Sequence, residues 1–172
     1  MPKNILITGG TGFIGGHLSQ HLVDSGYHVT ILTRSDLSER ANSDQINFAS
    51  SLDSLANIDW YGVINLAGEP LDKSRWSVEQ KAQIIDSRVS MTLRLNTWIR
   101  DLPKPLEVYI SGSAIGWYGH WQDEFLDEAS TYHAGFSHQL CEAWESAANE
   151  LADLETRICT VRIGIVLGAD GG

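Results

Sequence analysis

A glycine-rich turn near the start of the chain constrains the fold more than any other feature. Apolar residues 5–7 run directly into glycines at positions 9, 10, 12 and 15, and an apolar-periodic segment follows. This order places free backbone N–H groups and the positive end of a helix dipole beside a tight turn, where glycines let a phosphate approach the backbone. The pattern predicts a dinucleotide pyrophosphate site. The alternative is a plain strand–turn–helix junction that uses its glycines for packing.

Length and charge narrow the classes of function. The chain has 172 residues, 42% of them hydrophobic and 20% charged, which suits a globular domain with a sizeable core. A net charge of −10 argues against nucleic acid and anionic membranes as partners, because both would repel the chain. No apolar run approaches the roughly 20 residues that cross a bilayer, and no leader pattern precedes the first strand. We therefore expect a cytoplasmic protein that acts on a small molecule.

The two cysteines give no sign of a metal site or a disulfide framework. Cys141 and Cys159 lie far apart in sequence and lack the spacing of zinc ligands. We expect both to be small buried side chains in a reducing compartment, with no bound metal.

Hydrophobic periodicity divides the chain into alternating strands and helices. The predicted strands are 4–8, 28–33, 46–49, 60–66, 108–111 and 160–167. The predicted helices are 12–25, 77–100 and 137–154, and residues 35–44 are predicted to form a loop or short helix.

This alternation predicts the fold class. Successive right-handed βαβ units give an α/β protein of the Rossmann type, a doubly wound parallel sheet with helices on both faces. Ligands of such sheets bind at the carboxyl ends of the strands. We expect residues 1–172 to form one NAD(P)-binding domain. Because the sequence stops in a glycine-rich tail just after a strand, we interpret it as truncated, with a C-terminal substrate region missing.

The end of the second strand indicates which dinucleotide is bound. The residues there are Thr33, Arg34 and Ser35, and no acidic side chain occurs before Asp36. An acidic residue at this point would bind the ribose hydroxyls of NAD, whereas an arginine suits the 2′-phosphate of NADP. The pattern favours NADP(H), and the alternative is a solvated surface arginine.

Two further strand ends carry candidate site residues. Small residues within 65–70 follow the fourth strand and would let a cofactor lie flat, although the same run also suits an ordinary turn. The predicted fifth strand ends at Ser111, and Ser113 and Tyr118 follow it. Hydroxyls there can bind a substrate carbonyl or carbinol, and Tyr118 is a candidate proton donor. The alternative is that the serines only cap backbone groups.

At these strand ends the chain resembles an extended or atypical short-chain dehydrogenase/reductase of the nucleotide-sugar epimerase type. The matching motifs are residues 8–15, 65–68, 111–114 and 162–168. A narrower resemblance is to the epimerase-like subgroup described as sugar-nucleotide epimerases or cell-division-inhibitor-like proteins. It depends on residues 65–70, 75–76, 87–88 and 140–145.

Together with the strand-end patterns, the resemblance implies a set of cofactor contacts. The predicted contacts are Gly9, Thr11, Gly12, Phe13, Ile14, Gly15, Thr33, Arg34, Leu66, Ala67, Gly68, Arg88 and Ser111. Arg88 would reach the cofactor phosphates from the long helix, or else form a surface ion pair with Asp86 or a neighbour. The family also implies a homodimer through its long helices, for which residues 77–100 are the candidate.

One departure from the family pattern bears directly on catalysis. Active members carry a Tyr-x-x-x-Lys pair at the start of the helix after the fifth strand, and here Phe136 and Leu140 take those positions. Three interpretations stay open: Tyr118 with Ser113 supplies the proton, His133 or His138 does so, or the protein binds NADP(H) with little chemistry. The sequence thus predicts an oxidoreductase or epimerase-like protein acting on a small hydroxyl or carbonyl compound, with nucleotide sugars as candidates. The alternative is a catalytically degenerate NADP(H)-binding sensor or interaction protein.

Overall fold

The structure, a computed structural model, describes residues 3–39, 42–71, 76–169 and 171. Arg75, part of one motif behind the family resemblance, lies outside the described residues. The strands are β1 (Asn4–Thr8), β2 (His28–Leu32), β3 (Ile46–Ala49), β4 (Trp60–Asn65), β5 (Val108–Ala114) and β6 (Arg157–Ile163). The helices are α1 (Phe13–Asp24), α2 (Val78–Arg100) and α3 (Phe136–Asn149), with single 3-10 turns at Leu37–Glu39, Asp53–Leu55 and Ile115–Tyr118.

The six strands form one parallel sheet in the order β3-β2-β1-β4-β5-β6. This confirms the predicted doubly wound α/β fold. The strand order reverses between β1 and β4, because the chain first builds outward from β1 to β3 and then returns to the other side. That reversal opens a crevice at the carboxyl ends of β1 and β4, where ligands of such sheets bind.

Helices cover both faces of the sheet, and each face has its own apolar core. On one face, Ile5, Ile7 and Val29 pack under the apolar side chains of α1, including Leu18 and Leu22. On the other face, α2 and α3 cover a larger cluster. Its buried members include Leu6, Val63, Leu95, Trp98, Tyr109, Ala148 and Leu151. The alternation of inward-facing residues along β1 therefore supplies both cores.

The predicted ends of β5 and β6 are wrong. β5 runs three residues further than predicted, to Ala114, and β6 is Arg157–Ile163 rather than 160–167. The two strands pair along their whole length, from Val108 opposite Arg157 to Ala114 opposite Ile163. This backbone pairing extends β5 through small residues that are poor strand formers. The apolar run after Gly164 misled the prediction, because Ile165 and Leu167 lie outside the sheet and are exposed.

The helix ends also differ from the prediction, most at α3. α3 ends at Asn149 instead of residue 154, and turns follow it, although Leu151 in those turns is still buried in the core. α2 begins at Val78, one residue later than predicted, because the Ser77 hydroxyl caps the helix by accepting from the Gln80 N–H at 3.2 Å.

Both cysteines are free thiols, Cys141 buried and Cys159 half-buried. Within the described ranges, no three or more His, Cys, Asp or Glu side chains group together in a way that would hold a metal ion. The described helices include none that combines the length and the hydropathy needed to cross a membrane.

Candidate functional site

The glycine turn after β1 is closed so tightly that side chains are excluded at two points. Gly9 has a positive φ of 70°, and a Cβ there would lie 2.5 Å from the Leu66 carbonyl oxygen after β4. A Cβ at Gly15 would strike the Gly9 carbonyl oxygen and lie 2.7 Å from the Gly10 Cα. The Gly12 N–H donates to the Gly9 carbonyl at 3.0 Å and closes the turn. The glycines therefore bring β1, α1 and the end of β4 into direct backbone contact.

The N-terminus of α1 offers its backbone donors to a ligand. Gly12 is the N-cap, no side chain caps the helix, and its first turn holds no acidic residue. Among the described residues, the N-cap and the first turn therefore supply no side-chain acceptor or anion to the first N–H groups and the positive end of the helix dipole. A cavity of about 450 Å³ opens there and is lined by Thr11, Gly12, Phe13, Gly16, His17, Gln20 and Gly171. Ile14 is half-buried on the same turn of helix.

A buried hydrogen-bond network fixes the crevice between β1 and β4. The Thr8 hydroxyl donates to the Asn65 carboxamide oxygen at 2.6 Å and accepts from the Ala67 N–H at 3.2 Å. The Asn65 amide donates to the Thr92 and Tyr109 hydroxyls at 2.8 and 3.3 Å. Burial raises the pKa of Tyr109 to about 12. The network holds the loop after β4 in the position that the Gly9 contact requires.

The end of β2 places one cation at the rim of the crevice. Thr33 is buried, and its hydroxyl accepts from the Ser35 N–H at 3.1 Å. The Arg34 side chain is 94% exposed, with its guanidinium 3.9 Å from the Glu69 carboxylate in the loop after β4. The exposed Arg34 side chain can therefore reorient toward a ligand phosphate. In doing so it would break its contact with the Glu69 carboxylate.

Arg88 is turned inward from α2 and supports the loop after β4. Its guanidinium donates to the carbonyls of Ile84 and Glu69, both at 3.1 Å, and lies 5.3 Å from the centre of the Trp144 ring. A Cβ at Gly68 would lie 2.7 Å from the guanidinium carbon, so Gly68 makes room for it. Burial lowers the pKa of Arg88. Asp86 accepts from the Ser90 hydroxyl at 2.5 Å, and among the described contacts it forms no ion pair with the buried Arg88.

The two serine hydroxyls of β5 donate to different acceptors. Ser111 is fully buried, and its hydroxyl donates to the Gly112 carbonyl at 3.2 Å. Ser113 is 3% exposed, and its hydroxyl donates to the Glu145 carboxylate of α3 at 2.6 Å. Tyr118, 8% exposed, ends the 3-10 turn that follows β5.

An ion pair joins Ser113 and Tyr118 into one network. Arg162 of β6 faces Ser113 in the strand register, and its guanidinium donates to both oxygens of Glu145 at 2.9 and 3.0 Å. A further N–H donates to the Tyr118 hydroxyl oxygen at 3.1 Å, and the Trp117 ring centre lies 3.6 Å from the guanidinium. The Glu145 carboxylate raises the pKa of Arg162. The two candidate catalytic hydroxyls are thus linked through a charged pair.

The two positions of the absent Tyr-x-x-x-Lys pair hold side chains with no proton to transfer, although the Lys81 ammonium lies 5.1 Å from the centre of the Phe136 ring. Phe136 packs edge-on against Trp76 at 5.1 Å between ring centres, and Leu140 is buried. Both candidate histidines have structural partners. A ring nitrogen of His138 lies 2.6 Å from the Trp117 carbonyl, and one of His133 lies 2.7 Å from the His120 carbonyl.

Sequence reasoning missed the polar partners of its own site residues. Glu145, Arg162 and Asn65 all lie in the motifs behind the family resemblance, which assigns no partner to any of them. The signal in the sequence is weak: Asn65 is the single carboxamide of the mainly apolar β4, but Glu145 shares α3 with Glu142, and Arg162 shares β6 with Arg157. A buried carboxamide, carboxylate or guanidinium needs a partner, but the sequence does not name that partner.

A parallel sheet that reverses its order beside a glycine turn, with an uncapped helix N-terminus at the reversal, defines a Rossmann-type α/β protein. The chain belongs, more narrowly, to the NAD dependent epimerase/dehydratase family, whose model matches residues 5–170.

Several relatives are similar over nearly the whole chain. An epimerase family protein, the chloroplastic SDR39U1 homolog of Arabidopsis thaliana, is 33% identical over 98% of this chain and 50% of its own length. The crystal structure of human SDR39U1 isoform 2 with NADPH superposes with a TM-score of 0.83 at 30% identity, covering 98% of this chain and 56% of that one. A nucleoside-diphosphate sugar epimerase from Corynebacterium glutamicum has a TM-score of 0.78 at 29% identity, covering 100% and 36%. The chain thus spans about half the length of the curated relatives it matches.

Proposed function

We propose that the chain binds NADP(H) at the glycine turn. The observation that carries this proposal is the cradle itself: an uncapped helix N-terminus beside a turn whose close contacts leave no room for side chains at Gly9 and Gly15. A pyrophosphate suits this arrangement because it accepts hydrogen bonds and carries negative charge. Arg34 at the end of β2 favours NADP(H) over NAD(H), and the human relative was solved with NADPH.

The residues after β4 fit the remainder of such a cofactor. Leu66, Ala67 and Gly68 present small or apolar side chains at the crevice, while Arg88 holds their loop from behind. Thr33 keeps the end of β2 in place through its bond to Ser35. When bound, the nicotinamide would supply hydride transfer, and the protein would supply orientation and charge.

We further propose an oxidoreductase or epimerase-like activity on a small hydroxyl or carbonyl compound, with nucleotide sugars as candidates. Ser113 and Tyr118 would contact the reacting oxygen from the end of β5. Support comes from their shared hydrogen-bond network and from the similarity of the chain to the nucleoside-diphosphate sugar epimerase of Corynebacterium glutamicum. We also propose that the chain forms a homodimer through α2, which size-exclusion chromatography with light scattering would test. We further propose a cytoplasmic location.

The second candidate is a protein that binds NADP(H) and turns over little or nothing. It is favoured by one observation, the apolar character of Phe136 and Leu140 where the family carries its proton-transfer pair. Hydrogen-bonded structural positions for His133 and His138 point the same way.

Titration and turnover assays separate the two candidates. The purified chain is titrated with NADPH and NADH, and NADPH oxidation is then followed by absorbance with a panel of aldehydes, ketones and nucleotide-sugar derivatives. Turnover that falls in Ser113→Ala and Tyr118→Phe, but not in the distant control Tyr61→Phe, supports the enzyme. Tight NADPH binding with no turnover on any compound supports the second candidate, and no NADPH binding overturns both.

A further inference from the structure

The Glu69 carboxylate lies between two guanidinium groups in the loop after β4. It is 3.9 Å from the Arg34 guanidinium at the end of β2, and the Glu69 side chain is only 24% exposed. Its negative charge also opposes the effect of burial on the pKa of Arg88, whose guanidinium donates to the Glu69 carbonyl at 3.1 Å. The carboxylate therefore interacts with one exposed cation and with one buried cation.

Glu69 is held by its backbone, whereas the Arg34 side chain extends into solvent. The Glu69 N–H donates to the Ser87 hydroxyl of α2 at 3.0 Å, and its carbonyl accepts from Arg88 of the same helix. The Arg34 side chain is 94% exposed and ends in a long flexible stem. When the two charges separate, Arg34 is therefore the partner that moves.

We propose that Glu69 is a positioning residue that competes with the 2′-phosphate of NADP(H) for the Arg34 guanidinium. This inference rests on the proposed function, because it takes Arg34 as the group that binds the phosphate. Carboxylate and phosphate oxygens accept from the same planar set of N–H groups. A guanidinium could bridge both anions only by bringing them close together, where like charges repel. Glu69 thus lowers the affinity for NADP(H) and leaves NAD(H), which has no 2′-phosphate, unaffected.

Arg88 allows the exchange to occur at low cost. Removing the partner of a partly buried carboxylate is usually expensive, because it leaves a charge without compensation. Here Arg88 stays beside Glu69 after Arg34 has turned to the ligand. The cofactor has to displace only an exposed pair at 3.9 Å, so the competition is weak enough for NADP(H) to prevail.

Glu69→Gln removes the competing charge and keeps the length of the side chain and both backbone hydrogen bonds. Dissociation constants for NADPH and NADH are measured by fluorescence titration of the unmodified chain and the variant. We expect the variant to bind NADPH about two- to fivefold more tightly, the range of an exposed ion pair, and NADH with unchanged affinity. A gain for NADPH alone cannot arise from damage to the loop, because damage would weaken both cofactors.

A double-mutant cycle with Arg34→Ala tests whether Glu69 acts through Arg34. In the Arg34→Ala chain the contested guanidinium is absent, so adding Glu69→Gln should leave NADPH binding unchanged. A gain of equal size with and without Arg34 would assign the effect to direct repulsion between Glu69 and the phosphate. That result would overturn the proposal.

Asp36→Asn is the matched control for a change of charge near Arg34. Asp36 follows Arg34 by two residues, and its carboxylate accepts from the Ser38 N–H at 2.9 Å, a bond that asparagine can keep. We expect this variant to change neither dissociation constant. An NADPH gain equal to that of Glu69→Gln would mean that general charge sets the affinity, and it would overturn the competition for Arg34.

The outcomes separate this inference from the proposed function. If the unmodified chain binds NADPH and Glu69→Gln leaves that affinity unchanged, the competition is refuted and the proposed NADP(H) site stands. The same holds if Glu69→Gln tightens NADPH and NADH equally. Failure of the unmodified chain to bind NADPH refutes the proposed function and the inference together.

Discussion

Arg162 and Glu145 form a two-point ion pair that ties the last strand of the sheet to α3. The guanidinium donates through Nε and Nη2 to the two carboxylate oxygens at 2.9 and 3.0 Å. The side chains are only 19% and 13% exposed, so most of the pair is shielded from water. Glu145 also binds Ser113, and Arg162 also binds Tyr118. The ion pair therefore contributes both to the packing of β6 against α3 and to the geometry of the candidate site.

Removing the Arg162 guanidinium should therefore lower the free energy of unfolding. Arg162→Met leaves the Glu145 carboxylate buried with Ser113 as its one remaining hydrogen-bond donor among those described, and breaking a buried pair in this way costs about 3 kcal/mol. The free energy of unfolding is measured by urea denaturation followed by circular dichroism.

A matched control exists on the surface. Arg100 pairs with Asp153 through two 2.8 Å hydrogen bonds, but these side chains are 41% and 63% exposed. Arg100→Met should have a much smaller effect, because water screens and replaces an exposed pair. Equal losses in the two variants would contradict a stabilising role for burial of the Arg162 pair.

The glycine turn gives a second prediction. Gly15→Ala places a methyl group against the backbone of Gly9 and Gly10, neither of which can rotate away, so stability should fall by about 1–3 kcal/mol or more. NADPH binding, followed by fluorescence titration, should be lost with it. Gly16→Ala is the control, because its Cβ meets only the Gly10 carbonyl oxygen at 3.9 Å. Inside α1, that change should stabilise by about 0.5–1 kcal/mol, and a destabilisation equal to that of Gly15→Ala would refute the argument.

The fold was predictable from the sequence because periodicity is a local property. β1 and β3 have the predicted bounds, because a short segment of sequence already contains both the apolar run and the turn residues that flank it. The ends of β5 and β6 were not predictable, because partner strands set them: Gly112 is in the sheet only because Val161 pairs with it. A local pattern contains no information about that partner.

The sequence contains more information about the cofactor half of the candidate site than about its chemistry. The glycines and Arg34 can be interpreted from their positions in the sequence, because the glycines lie between a predicted strand and a predicted helix and Arg34 directly follows a predicted strand. The role of Glu145 depends on α3 packing so that its carboxylate meets Ser113 and Arg162, which are distant in sequence. Only the folded chain shows that contact.

A third prediction concerns cofactor selectivity. Arg34→Ala should weaken NADP(H) by about ten- to a hundredfold and leave NAD(H) nearly unchanged, because a charge-assisted bond to the 2′-phosphate is lost. Dissociation constants come from fluorescence titration with both reduced cofactors. Arg94→Ala removes the same charge from the exposed surface of α2 and serves as the control. Equal weakening of both cofactors by Arg34→Ala would contradict the 2′-phosphate role.

Tyr109 predicts how stability depends on alkaline pH. Burial raises the pKa of Tyr109 to about 12, whereas a tyrosine in the unfolded chain has a pKa of about 10. The folded state thus retains a proton that the unfolded state releases. The corresponding stabilisation is present below about pH 10 and is lost as the pH rises toward 12, by about 2–3 kcal/mol in total.

Comparison with Tyr109→Phe isolates this titration from that of every other group. The variant loses the 3.3 Å hydrogen bond from Asn65 and should be less stable at pH 8, but it has no phenol to ionise. Urea unfolding of both chains between about pH 8 and pH 12 should therefore give curves that converge as the pH rises. Curves that stay parallel over this range would mean that Tyr109 ionises equally in the folded and unfolded chains, which its burial beneath α2 and α3 does not allow.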